Sequence, residues 1–395
     1  MRFIRILFLF VFLLSFTPAQ AQPPTPPAAV QLVLASMTPQ EKVGQLFLVS
    51  FNGTDTSEES QIFNLITRYH VGGVVLTAEN DNFTNVDTLT QTHTLINNLQ
   101  RIEWQNSTNA NAEYTPLFIG IAQEGDGFPS DQLINGLTPL PSDMAIGATW
   151  DVSYAEQVAE IRGRELEALG FNLYIGPSLD VLENPSTSGG DLNTRVFGGD
   201  PFWVGEMGRA FVKGLHEGSE NNLLVIGKHF PGVGGADRLP EVEVSTVRKS
   251  LEQLKQIELA PFFAVTGNAP VPSSVVDGLL VSHIRYQGFQ GNIRATTKPI
   301  SLDSQALTQI ITLPEFLTWY NEGGLLISDN IGTASVREFY ALGGGQFSAR
   351  NAARDAFLAG NDMVYLGNIK ADDSPDTYTT TIRVLDFFAQ KYIED

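Results

Sequence analysis

The chain repeats one pattern along most of its length: a short apolar run typical of a buried strand, followed by a stretch with helical periodicity. Eight such runs occur, and each is apolar on both faces, as parallel strands covered by helices require. They span residues 46–50, 73–77, 117–121, 172–175, 223–226, 278–282, 325–328 and 363–366. This alternation predicts an α/β fold, a single-domain (β/α)₈ barrel, with a doubly wound open sheet as the alternative.

Three of the intervening segments are clear helix candidates. Residues 153–170 follow Asp151 and Ser153, either of which is a good N-cap, and residues 349–359 end at Gly360, a plausible C′ glycine. Residues 202–217 place their apolar side chains on one face. These segments are expected to cover the outside of the barrel.

The N-terminal residues predict export. Arg2 and Arg5 precede an apolar stretch at 6–16, and a small-residue cleavage site follows at 19–21, so residues 1–21 are expected to be a signal peptide. The alternative is an uncleaved N-terminal anchor. Residues 22–29, QPPTPPAA, are expected to form a stiff tether, and residues 30–395 the barrel. The predicted localisation is secreted or periplasmic, in any case extracytoplasmic, with no stable membrane span once the signal is cleaved.

The charge of the chain disfavours some classes of binding partner, and its lack of cysteine rules out disulfide bonds. The 24 lysines and arginines against 44 aspartates and glutamates give 24 − 44 = −20, which disfavours nucleic acid and anionic membrane surfaces. The chain has no cysteine, so no disulfide stabilises it. An exported protein without disulfides relies on its core, and 395 residues that are 43% hydrophobic provide a large one.

Polar side chains follow five of the apolar runs. They are Gln123 and Glu124, Ser178 and Asp180, Lys228 and His229, His283, and Asp329 and Asn330. The strand ends of a (β/α)₈ barrel meet at its C-terminal face, where active sites are built, so these side chains are expected to share a site.

Asp329 is the member of this set best suited to chemistry. A carboxylate in a barrel mouth is costly to bury without partners, and we expect Lys228 and His229 to supply them. It is then able to attack an anomeric carbon and form a glycosyl-enzyme intermediate. The alternative is a metal held with His229 and His283, but metal-ligand spacing is absent, as are dinucleotide-binding and serine hydrolase motifs.

Each residue also has a purely structural interpretation. His283 alone is typical of a hydrogen-bonded residue at the rim. Asp180 is equally suited to an ion pair with Arg195 that fixes a loop, and Asp329 to capping the helix that follows it. These interpretations remain open at the level of sequence.

The chain resembles the N-terminal barrel of glycoside hydrolase family 3, in its β-N-acetylhexosaminidase branch. The matching segments are 37-MTPQEKVGQLFLVSF-51, 69-YHVGGVVL-76, 161-IRGRELEALGFNLYIGPSLDV-181, 193-NTRVFGGDP-201, 227-GKHFPG-232, 324-GLLISDN-330 and 359-AGNDM-363. The resemblance covers nearly the whole mature chain. It implies a retaining mechanism on β-linked sugars without a metal or other cofactor, and a carbohydrate partner, with a cell-wall amino-sugar glycan as a candidate.

The resemblance also implies roles for four residues. Asp329 stands where the family has its nucleophile, Lys228 and His229 stand where it grips the sugar next to the cleaved bond, and Arg195 matches an arginine that contacts the same sugar.

Two departures put catalysis in question. After 227-GKHFPG-232 the branch has a histidine and then an Asp–His acid/base pair, whereas this chain continues 233-VGGADRLP-240 in a shorter loop. In addition, 122-AQEGDG-127 places Ala122 where the family has a sugar-binding aspartate and lacks the arginine that follows. Losing a general acid costs about 10²–10⁴ in rate for leaving groups that need a proton.

Three interpretations follow. The acid comes from elsewhere, for example Asp237, Glu241 or Glu243; the substrate's leaving group needs little protonation; or the barrel binds carbohydrate without catalysis, as a scaffold at the cell wall. We expect an exported glycosidase that cleaves β-glycosides, with β-N-acetylhexosaminides first, and keep the carbohydrate-binding barrel as the alternative. An open α/β binding protein is a more remote alternative.

Overall fold

The computed structural model describes residues 26–125, 127, 131–183, 192, 194–238, 240, 243–342 and 344–394. Ten strands lie in this part of the chain: β1 Phe47–Val49, β2 Gly73–Val75, β3 Phe118–Ile121, β4 Leu173–Ser178, β5 Leu224–Phe230, β6 Thr246–Val247, β7 Gly278–Val281, β8 Arg285–Tyr286, β9 Leu325–Ser328 and β10 Met363–Gly367. Eight of them close a parallel barrel in the order β1-β10-β9-β7-β5-β4-β3-β2, while β6 and β8 form a separate two-stranded sheet.

Helices connect the strands and cover the barrel. Those of the described residues are α1 Ala28–Ser36, α2 Pro39–Gly44, α3 Gln61–Thr67, α4 Thr88–Ala110, α5 Asp143–Gly147, α6 Val152–Leu169, α7 Pro201–Gly218, α8 Leu251–Gln256, α9 Ala260–Ala264, α10 Gln287–Gln290, α11 Ser304–Ile311, α12 Pro314–Asn321, α13 Ala334–Ala341, α14 Ala349–Ala359 and α15 Thr377–Glu394, with short 3₁₀ turns at Pro272–Ser274 and Ile300–Leu302. The predicted (β/α)₈ barrel is therefore confirmed, and the open sheet is excluded by closure between β1 and β10.

The three predicted helices are also confirmed, for the local reasons the sequence gives. Asp151 accepts the Ser153 amide at the start of α6, and Gly170 ends that helix with φ +96°. At α14, Ser348 accepts the Asn351 amide and Gly360 has φ +111°. Caps of this kind satisfy backbone groups that a helix end leaves unpaired.

Two apolar cores hold the barrel together. Side chains that point inward, such as Leu173, Ile226 and Ile327, form a compact cluster inside the closed sheet. A larger cluster lies between the outer face of the strands and the helices, so both faces of each strand are buried. This double burial explains why the strands read as continuous apolar runs in the sequence.

Most of the predicted N-terminal features lie outside the described residues. The signal peptide at 1–21 and the first part of the tether fall in residues 1–25. Ala28 and Ala29, the last residues assigned to the tether, begin α1, which has no buried residue. Within the described ranges, no helix combines the length and apolarity needed to cross a membrane.

Candidate active site

Asp329 lies where β9 ends at the barrel mouth. Its backbone amide donates to the Val281 carbonyl at 2.9 Å, which extends the pairing of β9 with β7 by one residue. One carboxylate oxygen accepts the Asn330 amide at 2.7 Å, and the residue is half-buried. The N-cap of the next helix, α13, is Thr333, so the interpretation of Asp329 as a helix cap is wrong.

Lys228 and Arg195 converge on the buried carboxylate of Glu124, which follows β3. Lys228 Nζ lies 2.9 Å from Glu124 Oε1, and Arg195 Nη1 lies 3.4 Å from Oε2. Burial would raise the pKa of Glu124, but the two cations outweigh burial and hold it below its ordinary value. A charged Glu124 therefore fixes both cations, a positioning role that the sequence did not assign, although its place after the third run was the available signal.

His229 is held by Asp180, which is fully buried at the end of β4. The His229 Nδ1 atom lies 2.7 Å from Asp180 Oδ2, and Asp180 also accepts from the Ser178 hydroxyl at 2.8 Å and the Val233 amide at 2.6 Å. Burial alone would lower the pKa of His229, but the Asp180 carboxylate outweighs it and raises that pKa above the ordinary value. The imidazole side chain is 16% exposed. Asp180 therefore fixes the ring from its buried side, while another part of the ring remains accessible to solvent.

The expectation that Lys228 and His229 pair directly with Asp329 needs correction. The ion pairs recorded among the described residues join Lys228 to Glu124 and His229 to Asp180 instead. Glu124 and Asp180 are buried more deeply than Asp329, and a buried carboxylate needs a compensating cation more than a half-exposed one does. Asp329 still acts on His229 electrostatically, because its charge contributes to the raised pKa of that imidazole.

His283 has a structural role. Its Nδ1 atom lies 2.7 Å from the Ser301 hydroxyl and its Nε2 atom 3.0 Å from the Asn330 carbonyl, and the residue is buried. It therefore supports the segment just after Asp329. Across the described part of the chain, no group of three or more histidine, cysteine, aspartate or glutamate residues is arranged to hold a metal ion.

The backbone of the shortened loop after β5 packs closely against the segment that follows β4. Val233 is buried and donates its amide to Asp180. A Cβ atom on Gly234 would stand 1.8 Å from the Val181 carbonyl oxygen, so only glycine permits this close approach. The side chain at the position of the family's first loop histidine is thus apolar and packed away from solvent.

Asp237, the first of the three candidate acids, forms hydrogen bonds and ion pairs within its own loop and with β6. Its Oδ1 atom accepts the Thr246 amide at 2.8 Å and lies 3.3 Å from Arg238 Nε, and its Oδ2 atom lies 3.4 Å from Arg248 Nη2. Glu243 pairs with Arg238 and is half exposed, and Glu241 lies outside the described residues. Asp237 consequently fastens the loop to β6.

Comparison with known proteins identifies relatives of this barrel. Residues 38–380 match the family model described as glycosyl hydrolase family 3 N terminal domain. The chain is 28% identical over 320 residues to beta-hexosaminidase A of Pseudoalteromonas piscicida, covering 79% of this chain and 48% of that protein. It is 30% identical over 272 residues to a beta-N-acetylglucosaminidase/beta-glucosidase of Cellulomonas fimi, covering 68% of this chain and 41% of that protein. The chain thus spans less than half the length of these two relatives.

A solved structure agrees with the sequence matches. A family 3 beta-N-acetylglucosaminidase from Paenibacillus sp. str. FPU-7 superposes with a TM-score of 0.72 at 28% identity, over 90% of this chain and 58% of that one.

Proposed function

Because the chain belongs to glycoside hydrolase family 3, we propose that it hydrolyses β-glycosides by a retaining mechanism in which Asp329 is the nucleophile. The leading substrates are β-N-acetylhexosaminides, since the relatives named above are a beta-hexosaminidase and beta-N-acetylglucosaminidases. The observation that carries the proposal is the half-buried Asp329 carboxylate at the barrel mouth, close enough to His229 to raise its pKa, while Asp180 and Glu124 form the ion pairs with His229 and Lys228. Among the residues that the structure describes, Asp329 forms no ion pair, so its carboxylate is available for chemistry.

The proposed mechanism assigns a task to each residue of the mouth. Asp329 attacks the anomeric carbon as the leaving group departs, and water later releases the sugar from the ester. Lys228 and Arg195, fixed by Glu124, donate hydrogen bonds to sugar hydroxyls. The charged form of His229 donates to the sugar through the nitrogen that Asp180 does not hold. Export, supported by the N-terminal sequence, belongs to the same proposal, as does a cell-wall amino-sugar glycan as natural substrate; the names of the relatives support the amino sugar.

Glycosides that differ in leaving group test whether this barrel hydrolyses β-glycosides. Aryl N-acetyl-β-glucosaminide and aryl β-glucoside with nitrophenolate leaving groups are compared with the corresponding alkyl glycosides, and release of the leaving group is measured. We expect turnover of the aryl glycosides and about 10²–10⁴-fold slower turnover of the alkyl ones, because the loop that carries the family's acid is shortened here. No turnover of any glycoside, with sugar still bound, would refute hydrolysis.

That outcome would favour the second candidate, a carbohydrate-binding barrel without catalysis. Two observations favour it: Val233 is buried where the family has a loop histidine, and Ala122 stands where it has a sugar-binding aspartate, packed against the interior cluster.

The Asp237→Asn variant tests whether Asp237 donates the proton to the leaving group. We expect kcat/KM on alkyl and aryl glycosides to change by less than about threefold, because the carboxylate is tied to Thr246, Arg238 and Arg248. Glu243→Gln tests the neighbouring candidate in the same assay and should also change kcat/KM by less than about threefold, because Glu243 pairs with Arg238. A selective loss of about 10²-fold or more on alkyl glycosides in Asp237→Asn would identify it as the acid after all.

The Asp180→Asn variant tests the positioning of His229. Because the Asp180 charge raises the pKa of His229, its removal lowers that pKa, and the imidazolium is lost at lower pH. The alkaline limb of kcat/KM should therefore move to lower pH than in the wild type. Ser178→Ala removes another hydrogen bond to Asp180 but keeps its charge, and should leave the limb in place. An unshifted limb in Asp180→Asn would contradict this role.

A further inference from the structure

An exposed aromatic surface lies outside the site described above. Trp150, Tyr154 and Phe202 are 66%, 50% and 71% exposed, and the indole of Trp150 stacks on that of Trp203 with ring centroids 5.2 Å apart and 29° between the planes. We call these four residues the aromatic rim. Exposed apolar patches of this kind mark interaction sites.

The fold places the aromatic rim on the same face as Asp329. Trp150 and Tyr154 lie at the start of α6, which follows β3, and Phe202 and Trp203 lie in the first turn of α7, which follows β4. Helices of this barrel begin on the face where the strands end. The rim therefore borders the face that carries the mouth.

One backbone segment connects the rim to the mouth. A groove of about 270 Å³ runs beside Trp150 and Trp203, and Phe197, Gly198 and Gly199 form part of its wall. Arg195, two residues earlier, reaches Glu124 in the mouth. The wall of the groove therefore lies only two residues along the backbone from Arg195, a residue assigned to sugar contact.

The chemistry of the groove fits a sugar ring of a neutral glycan. A pyranose has an apolar C–H face that stacks on an indole and hydroxyl edges that stay in water, and the volume accommodates one such ring. The net charge of −20 opposes close contact with a second copy of this chain or with an acidic partner. Trp150 also has φ +55°, in the left-handed region that disfavours a residue with a Cβ atom, and its indole is two-thirds exposed rather than buried in the core.

We propose that the aromatic rim is a second carbohydrate site, which holds a residue of a β-linked N-acetylglucosamine chain several sugars away from the cleaved bond. This inference rests on the proposed function for its choice of sugar, but it does not require hydrolysis. A chain held at both the rim and the mouth would stay on the enzyme between cleavages.

Retention on insoluble chitin tests this site. The Asp329→Asn protein is used throughout, so binding is measured without turnover, and Trp150→Ala is compared with Trp104→Ala, an exposed tryptophan on α4 that is 53% exposed. We expect about three- to tenfold weaker retention for Trp150→Ala, as for loss of one aromatic stacking contact, and no change for Trp104→Ala. With Asp329 intact, Trp150→Ala should keep kcat/KM on the small aryl glycoside within about twofold.

Several outcomes overturn the proposal. The first is that the Asp329→Asn protein is not retained on chitin at all. The second and third are that Trp150→Ala, in the Asp329→Asn background, is retained as well as the Asp329→Asn protein, or that Trp104→Ala loses as much retention as Trp150→Ala. The fourth is a dimer in sedimentation that Trp150→Ala abolishes, without any retention on the glycan. Trp150-dependent retention together with absence of hydrolysis would support the rim site and refute only the proposed activity.

Discussion

Asp329→Asn should abolish turnover of the aryl N-acetyl-β-glucosaminide, with kcat reduced by at least about 10⁴-fold, the scale seen when a nucleophile is removed. The amide keeps the shape of the side chain and an oxygen that can accept the Asn330 amide, so the barrel should fold unchanged. Because the loss is in the chemical step, sugar binding should survive. Steady-state kinetics together with a binding titration check this.

The matched control is Asp373→Asn, at a carboxylate that is 67% exposed and paired with Arg383 on the surface. It should leave kcat unchanged within about twofold. Equal turnover by wild type and Asp329→Asn would remove Asp329 from the mechanism and leave the carbohydrate-binding interpretation as the better one.

Glu124→Gln should produce the largest loss of stability among the variants of the mouth. The glutamine leaves the buried Lys228 without the carboxylate that neutralises it, and breaking a buried pair in this way costs about 3–5 kcal/mol of unfolding free energy. Because Lys228 loses the carboxylate that orients it and Arg195 loses one of its contacts, kcat/KM should also fall about 10²-fold or more, mainly through KM. Urea unfolding at pH 7 and steady-state kinetics measure the two effects.

The pH dependence of this loss has a definite sign. The pKa of Glu124 is held below its ordinary value in the folded protein, so its stabilisation is present above the unfolded pKa and is lost as pH falls through the folded pKa. The difference in stability between wild type and Glu124→Gln should therefore narrow in acid. Glu156→Gln, which removes a surface pair with Lys213, should cost less than about 1 kcal/mol. Equal losses in the two variants would contradict the role given to Glu124.

The barrel was predictable because its strands are buried on both faces. The run at 325–328 coincides with β9 since a glycine precedes it and a charged residue ends it, and the cap and C′ glycine around 349–359 define α14. The run at 223–226 is shorter than β5, which continues to Phe230. The two polar residues Lys228 and His229 interrupt the apolar pattern although they still belong to the strand. Strands β6 and β8 have two residues each, too few to show any periodicity.

The site was predictable as a set of residues but not as a set of pairs. Position after a strand was enough to gather Glu124, Asp180, Lys228, His229 and Asp329 at one face. Which carboxylate pairs with which cation depends on how deeply each side chain is buried at the ends of β3, β4 and β5. The position of a residue at a strand end does not predict that depth. The sequence therefore assigned the cations to Asp329, whereas the structure pairs them with the two more deeply buried carboxylates.

Trapping the covalent intermediate tests the proposed mechanism most directly. A fluorinated N-acetyl-β-glucosaminide with a good leaving group slows hydrolysis of the intermediate more than its formation, so the glycosyl-enzyme should accumulate. The account predicts that mass spectrometry finds one glycosyl group on the peptide that contains Asp329, and none in Asp329→Asn. A glycosyl group on another residue, or turnover of the substrate with no adduct and inversion at the anomeric carbon, would contradict it.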